Sequence, residues 1–189
     1  MNTPDLATRR KSRLHLVLIA LVFLAPLIVA GLLSVAGWQP GVAGEGQAIL
    51  PQRNFAQENV QVLMENGQLW AWRDTQPRLT LVALAGPDCA DRCMHELTQL
   101  AKARAMLNRS QSRLRLLYLG QPPASADAGG LRNYWKIGKD TDGRLAVYRP
   151  ASADSVSAIL VESNGTALSL YPTGMDAASL LRDMRKVIR

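Results

Sequence analysis

Residues 86–95 read GPDCADRCMH and hold both cysteines of the chain, Cys89 and Cys93. Two thiols at this spacing have three uses: a pair that cycles between dithiol and disulfide, a clip for a soft metal ion, or a bridge that only staples the backbone. On one regular helix their Cα atoms would lie about 6 Å apart, inside disulfide reach. A bridge over so short a loop removes little chain entropy, so as a staple it is weak. Exchange chemistry, or capture of Cu(I) by two thiolates, therefore accounts better for the pair; Zn²⁺ would want four ligands. The backbone amides at a helix start would favour a Cys89 thiolate, with Arg92 adding to the effect and Asp88 and Asp91 opposing it. Other candidate ligands are poorly placed. His95 lies two residues beyond Cys93, roughly 200° around a helix. His15 falls in an apolar run, and Met94 and Met175 belong to a residue type that more often packs cores than binds metal.

Several elements must position this pair. LTLVALA, residues 79–85, is short and continuously apolar, the pattern of a strand buried on both faces, and it runs directly into Gly86. A helix is predicted to follow, with Asp88 as N-cap, Asp91 in the N3 place, and Leu97, Leu100, Met106 and Leu107 at roughly helical spacing up to Asn108. LRLLYLG, residues 114–120, reads as a second buried strand, completing strand, helix, strand with a parallel crossover. Upstream, Val60, Val62 and Met64 alternate before an Asn66-Gly67 turn and Leu69 to Trp72, a hairpin signal. Residues 121–130 are a loop, and LRNYWKIG after it reads as a short helix. Val156 to Val161 and Ala167 to Tyr171 flank Asn164-Gly165 as a second hairpin, and Asp176 caps an amphipathic helix bearing Leu180, Leu181, Met184 and Val187. Hairpin, βαβ and ββα in that order predict a thioredoxin-like α/β fold, a central mixed sheet flanked by helices.

Leu14 to Val35 is almost purely apolar and long enough to span about 30 Å of hydrocarbon, so residues 14–36 are expected to form one N-terminal transmembrane helix. Arg9, Arg10, Lys11 and Arg13 precede it, placing residues 1–13 in the cytoplasm as a basic tail. A cleaved signal peptide is the competing reading; either one exports the rest of the chain. GWQPGVAGEGQ begins a linker, residues 37–52, and the domain occupies residues 53–189. The formal charge is +7, but the tail concentrates four basic residues and the others are scattered, so the charge signals topology and no nucleic-acid partner is expected. Export also places the cysteines where a disulfide can persist.

From the anchor, the CxxxC after LTLVALAGPDCADRCMHEL and the tail SAILVESNGTALSLYPTGMDAASLLRDMRKVI, the chain resembles a divergent member of the SCO/SenC family of membrane-anchored, thioredoxin-like cytochrome c oxidase assembly proteins. The resemblance implies a bacterial inner-membrane protein with one pass and a periplasmic domain. Its expected partner is a respiratory oxidase subunit or another assembly factor. Cys89 and Cys93 are then the site residues for exchange and for transient Cu(I), with Cys89 attacking and Cys93 resolving. The sequence departs from the family at three places: Met94 follows the second cysteine where proline is usual, Val156 stands in the position of the copper-binding histidine, and the acidic motif after the next strand is absent. Loss of that nitrogen donor weakens Cu(II) most, because two thiolates still suit Cu(I). No cofactor is required. The alternative is a non-catalytic assembly or interaction module with a structural disulfide. A peroxiredoxin-like peroxidase is disfavoured, because no suitable threonine and arginine arrangement accompanies Cys89.

Overall fold

The computed structural model describes residues 15, 19–26, 28–29, 31–32, 46–123 and 130–188, and the chain divides into two units, 1–42 and 43–189. In the first unit the described positions are helical, and large apolar side chains such as Ile19, Leu21, Phe23, Ile28 and Leu32 stand exposed. The basic tail, and part of the predicted span 14–36, lie outside the described residues. Among the described residues no helix is long and apolar enough to cross a membrane.

The second unit is built on a seven-stranded mixed sheet. Its strands are β1 (Gln47–Ala48), β2 (Val62–Met64), β3 (Leu79–Ala85), β4 (Leu114–Leu119), β5 (Lys136–Asp140), β6 (Val156–Val161) and β7 (Ala167–Tyr171), in the spatial order β1-β7-β6-β3-β4-β5-β2. β3, β4 and β5 run parallel, whereas β6 lies antiparallel to β3 on its other side. This central place explains LTLVALA: every residue of β3 is buried. Leu81, Ala83 and Ala85 face one core, Val82 and Leu84 the other, as the two-residue period of a strand requires.

Helices α1 (Asp91–Ala105) and α3 (Ala177–Val187) both cover the first face, through Leu97, Leu100 and Ala103 of the one and Leu180, Leu181 and Met184 of the other. α2 (Leu131–Tyr134) is a single turn that adds Leu131. Asp176 caps α3 as expected, its carboxylate accepting from the N–H groups of Ala178 and Ser179 at 3.2 Å each. At the end of α1 the Arg104 guanidinium donates to Leu114 O at 2.8 Å, tying the helix terminus to the first residue of β4. The second face carries no α-helix among the described residues. Phe55, Trp72 and Leu145 close it, with the Phe55 and Trp72 rings edge to face at 5.0 Å.

Three local expectations change. The Asn66-Gly67 turn forms, with Gly67 at φ +80° where only glycine is comfortable, but the strand expected after it does not. Trp72 is drawn into the core and donates from Nε1 to Val60 O at 2.7 Å, so only Leu63 and Leu69 still pair across the turn. Burial of the indole outweighs the missing ladder. LRNYWKIG is helical only to Tyr134. From Lys136 it becomes β5, which pairs with β4 on one side and β2 on the other. Gln47 and Ala48, in the stretch read as linker, pair antiparallel with β7.

The end of β5 also carries a titratable group under strain of solvation. Asp140 accepts from the Leu145 N–H at 3.0 Å through Oδ2, while Oδ1 is buried without a hydrogen-bond partner. Burial, and then the neighbouring Asp142, push its carboxyl above the ordinary 3.8. A raised carboxyl binds its proton more tightly when folded, so ionisation costs stability as pH rises through its folded value, and the cost vanishes below the unfolded one. Asp140→Asn is therefore expected to raise the melting temperature by a few degrees at pH 7 and by little at pH 3.5. Equal gains at both pH values would refute this.

Candidate functional site

β3 ends at Ala85, and the chain then turns through Gly86 to Ala90 into α1. Cys89 and Cys93 form a disulfide with Cα atoms 5.2 Å apart. That is shorter than a regular helix spanning both residues would allow, because Cys89 lies before the helix. Only Cys93 is helical. Ala90 takes the N-cap place with no capping side chain of its own, so Asp88 is not the cap and Asp91 opens the helix instead of standing at N3. The two residues differ in burial: Cys89 retains 9% of its surface and Cys93 none.

The missing cap arrives from another part of the chain. Asp154, in the loop before β6, accepts through Oδ1 from Ala90 N–H at 2.8 Å and Cys93 N–H at 2.9 Å, and through Oδ2 from Arg92 N–H at 3.1 Å. These bonds, from Cys93 and Ala90 first, hold its carboxyl below the ordinary 3.8. The sign is that of a depressed acid: the cap is fully present above the unfolded value and is lost as pH falls through the folded one. Further bonds lash the same loop down. Gly86 N–H donates to Ser155 O at 2.9 Å, Asp88 N–H to Ala153 O at 3.2 Å, and Val156 N–H to Glu96 Oε2 at 3.0 Å.

Topology explains the meeting. β6 is antiparallel to β3 with Ala85 opposite Val156, so the residues before β6 must lie beside those after β3. Asp154 carries no distinctive pattern of its own in the sequence; only the pairing of the two strand ends brings it to the cysteines. The approach is close. A Cβ on Gly86 would run into the carbonyl oxygens of Ser152 and Ala153.

Of the other residues singled out earlier, Val156 is fully buried in the same core as the cysteines and offers no donor. His95 is exposed on α1, its ring Nε2 3.4 Å from Gln99 Nε2. Met94 is half-buried and packs against the core, as does Met175. Arg92 points its guanidinium to Glu96 at 3.4 Å. Among the described residues no group of three His, Cys, Asp or Glu side chains is arranged to hold a metal ion. A crevice of about 520 Å³ opens at the C-terminal ends of β3, β4 and β5. Pro87, Gly120, Gly138, Lys139 and Arg149 line it, and Pro87 lies two residues from Cys89. Arg149 donates to Ala85 O at 2.9 Å, bracing the end of β3.

This arrangement is suited to thiol chemistry at a strand-to-helix junction, with one cysteine slightly exposed and its partner fully enclosed. Residues 79–189 match the family described as transmembrane-like, thioredoxin-like, C-terminal domain. No curated protein matches the chain. Among solved structures, copper-bound ScoI of Arabidopsis thaliana is similar at a TM-score of 0.50 and 14% identity, covering 69% of this chain and 96% of that one. Peroxiredoxin Q of Xanthomonas campestris is similar at 0.51 and 12% identity, covering 75% and 99%. At such identities the likeness extends to the fold alone, which is thioredoxin-like α/β.

Proposed function

The chain belongs to the transmembrane-like, thioredoxin-like, C-terminal domain family, and from that premise we propose that it is a membrane-anchored, Sco-like assembly factor for cytochrome c oxidase that acts by thiol-disulfide exchange through Cys89 and Cys93. The observation that carries the reading is the position of the bridge. It spans the junction between β3 and α1, closes a loop too short to stabilise much, and leaves Cys89 the less enclosed of the two residues. In the dithiol, a Cys89 thiolate attacks a disulfide of the target and forms a mixed disulfide, releasing one target thiol. Cys93 then displaces the second target thiol and closes the bridge, so two electrons pass to the target. Anchoring rests on the exposed apolar residues of the 14–36 segment and the basic residues before it. The target chemistry is a pair of copper-ligating cysteines on an oxidase subunit exported to the bacterial periplasm.

Copper enters as cargo. Copper is bound in the ScoI of Arabidopsis thaliana. In this chain the donor set fits only a soft, two-coordinate ion: two thiolates after reduction, an apolar side chain at Val156, and an oxygen donor at Asp154 already engaged by three N–H groups. Cu(I) held transiently between Cys89 and Cys93 is consistent with that set; Cu(II) is not. The alternative, a non-catalytic module, keeps the fold and uses the bridge structurally.

Removal of the protein is expected to deplete assembled cytochrome c oxidase. The wild-type chain should restore it and Cys89→Ser should not. Normal oxidase levels without the protein would overturn the assignment. Cu(I) titrated into the reduced chain should bind and be lost in Cys89→Ser; absence of binding would remove the copper branch and leave the exchange branch standing.

A further inference from the structure

The exchange reading says nothing about which redox form the pair favours, and the loop opposite it supplies an answer. A helix N-terminus ordinarily stabilises a nearby thiolate with its unpaired N–H groups. Here those groups are taken: Asp154 occupies the N–H of Ala90, Arg92 and Cys93, and adds a carboxylate within one hydrogen bond of the second cysteine. We propose that Asp154 is a positioning residue that biases Cys89 and Cys93 toward the disulfide, making the reduced protein an electron donor to its target. This rests on the exchange reading and gives its direction.

The physical balance is simple. The disulfide is neutral, so a carboxylate beside it costs little and the capping bonds hold the helix start. In the reduced form a developing thiolate on Cys89 meets a like charge and finds the donors already engaged. The nearby cations do not compensate. Arg92 sends its guanidinium to Glu96, and Arg149 is committed to Ala85 O. Asp88 and Asp91 add negative charge on either side of Ala90. A reduced form that gains no thiolate stabilisation yields its electrons more readily, because stabilising the reduced dithiol is what makes such a pair oxidising.

The test replaces the charge while keeping the shape. Full chain in mild detergent is equilibrated at pH 8 with graded reduced and oxidised dithiothreitol, in the reaction that converts the bridge and reduced reagent into dithiol and cyclic disulfide. Asp154→Asn is expected to shift the equilibrium toward the dithiol by about three- to tenfold, or about 15–30 mV on the two-electron scale. Alkylation of Cys89 by iodoacetamide at the same pH should quicken by a similar factor. Asp154→Glu, which keeps the charge, should remain near wild type. A merely structural cap would lower the melting temperature of Asp154→Asn and leave the equilibrium and alkylation rate within twofold of wild type, which overturns the proposal. Should Asp154→Asn not fold, Asp154→Ser is the second neutral variant and carries the same expectation. If the wild-type bridge does not exchange natively, the exchange reading fails; the alkylation comparison, made on chain refolded after phosphine reduction, still decides what Asp154 does.

Discussion

Cys93→Ser is expected to accumulate a covalent mixed disulfide with target cysteines through Cys89, whereas Cys89→Ser should form none and lose exchange to background, because a serine hydroxyl does not attack a disulfide. The asymmetry follows from burial. Cys93 is fully enclosed in the first turn of α1 and Cys89 keeps some surface at the loop, so an incoming disulfide meets Cys89 first. With Cys93 removed, nothing resolves the adduct. Both variants should stay folded, because a bridge between residues four apart contributes only about 2 kcal/mol on the chain-entropy estimate, the cysteines are two of the many side chains in the first core, and the second core contains neither. The adduct would be seen on non-reducing gels and located by mass spectrometry. Trapping by Cys89→Ser in place of Cys93→Ser would reverse the assigned roles.

Gly86→Ala is expected to be the most damaging single-atom addition near the pair. The new methyl would meet the carbonyl oxygens of Ser152 and Ala153, which are backbone atoms and cannot rotate aside. Either the end of β3 or the capping loop must move. Overpacking of this kind costs about 1–3 kcal/mol, a fall of roughly 2–12 °C in melting temperature for a chain of this size. Displacement of the loop also breaks the Gly86 to Ser155 bond and loosens the Asp154 cap. The disulfide should therefore become easier to reduce as well as the fold less stable. Gly120→Ala is the useful contrast. Its Cβ would meet the Ala85 methyl and the Tyr118 ring, so the strand end is crowded without the loop being pushed. Wild-type stability in Gly86→Ala would contradict the close apposition of strand end and loop.

Much of the scaffold was legible in the residues. LTLVALA and LRLLYLG announced central strands through unbroken apolar runs, and both sit in the middle of the sheet with side chains in two cores. Asn164-Gly165 and Asp176 marked a turn and a cap by local chemistry, and local chemistry decides both. What escaped depended on distant partners. β5 is a strand because β2 and β4 flank it, not because KIGKD resembles one. Trp72 left its hairpin for a core that only the folded chain provides. At the site, the cysteine spacing pointed to a bridge, but the helix start was set by Asp154 from some sixty positions away. Asp88 is not the cap because the helix opens at Asp91, with Ala90 in the N-cap place and Asp154 accepting from the N–H groups there. Val156, the position singled out from the family pattern, proves to be the opposite neighbour of Ala85 in the sheet and so faces the core. The loop group that reaches the pair comes two residues earlier.

The claim that this bridge is a working redox pair is tested most directly by the reversibility of its reduction in the native wild-type chain. Folded protein, reduced and oxidised separately, is brought to equilibrium in the same dithiothreitol buffers, and the thiols are counted by alkylation and mass spectrometry. A working pair gives one dithiol-disulfide transition, identical from both directions and complete while the far-ultraviolet circular dichroism is unchanged. A bridge that stays closed until the chain unfolds, with no exchange in the native state, would contradict it and leave the structural module as the correct account.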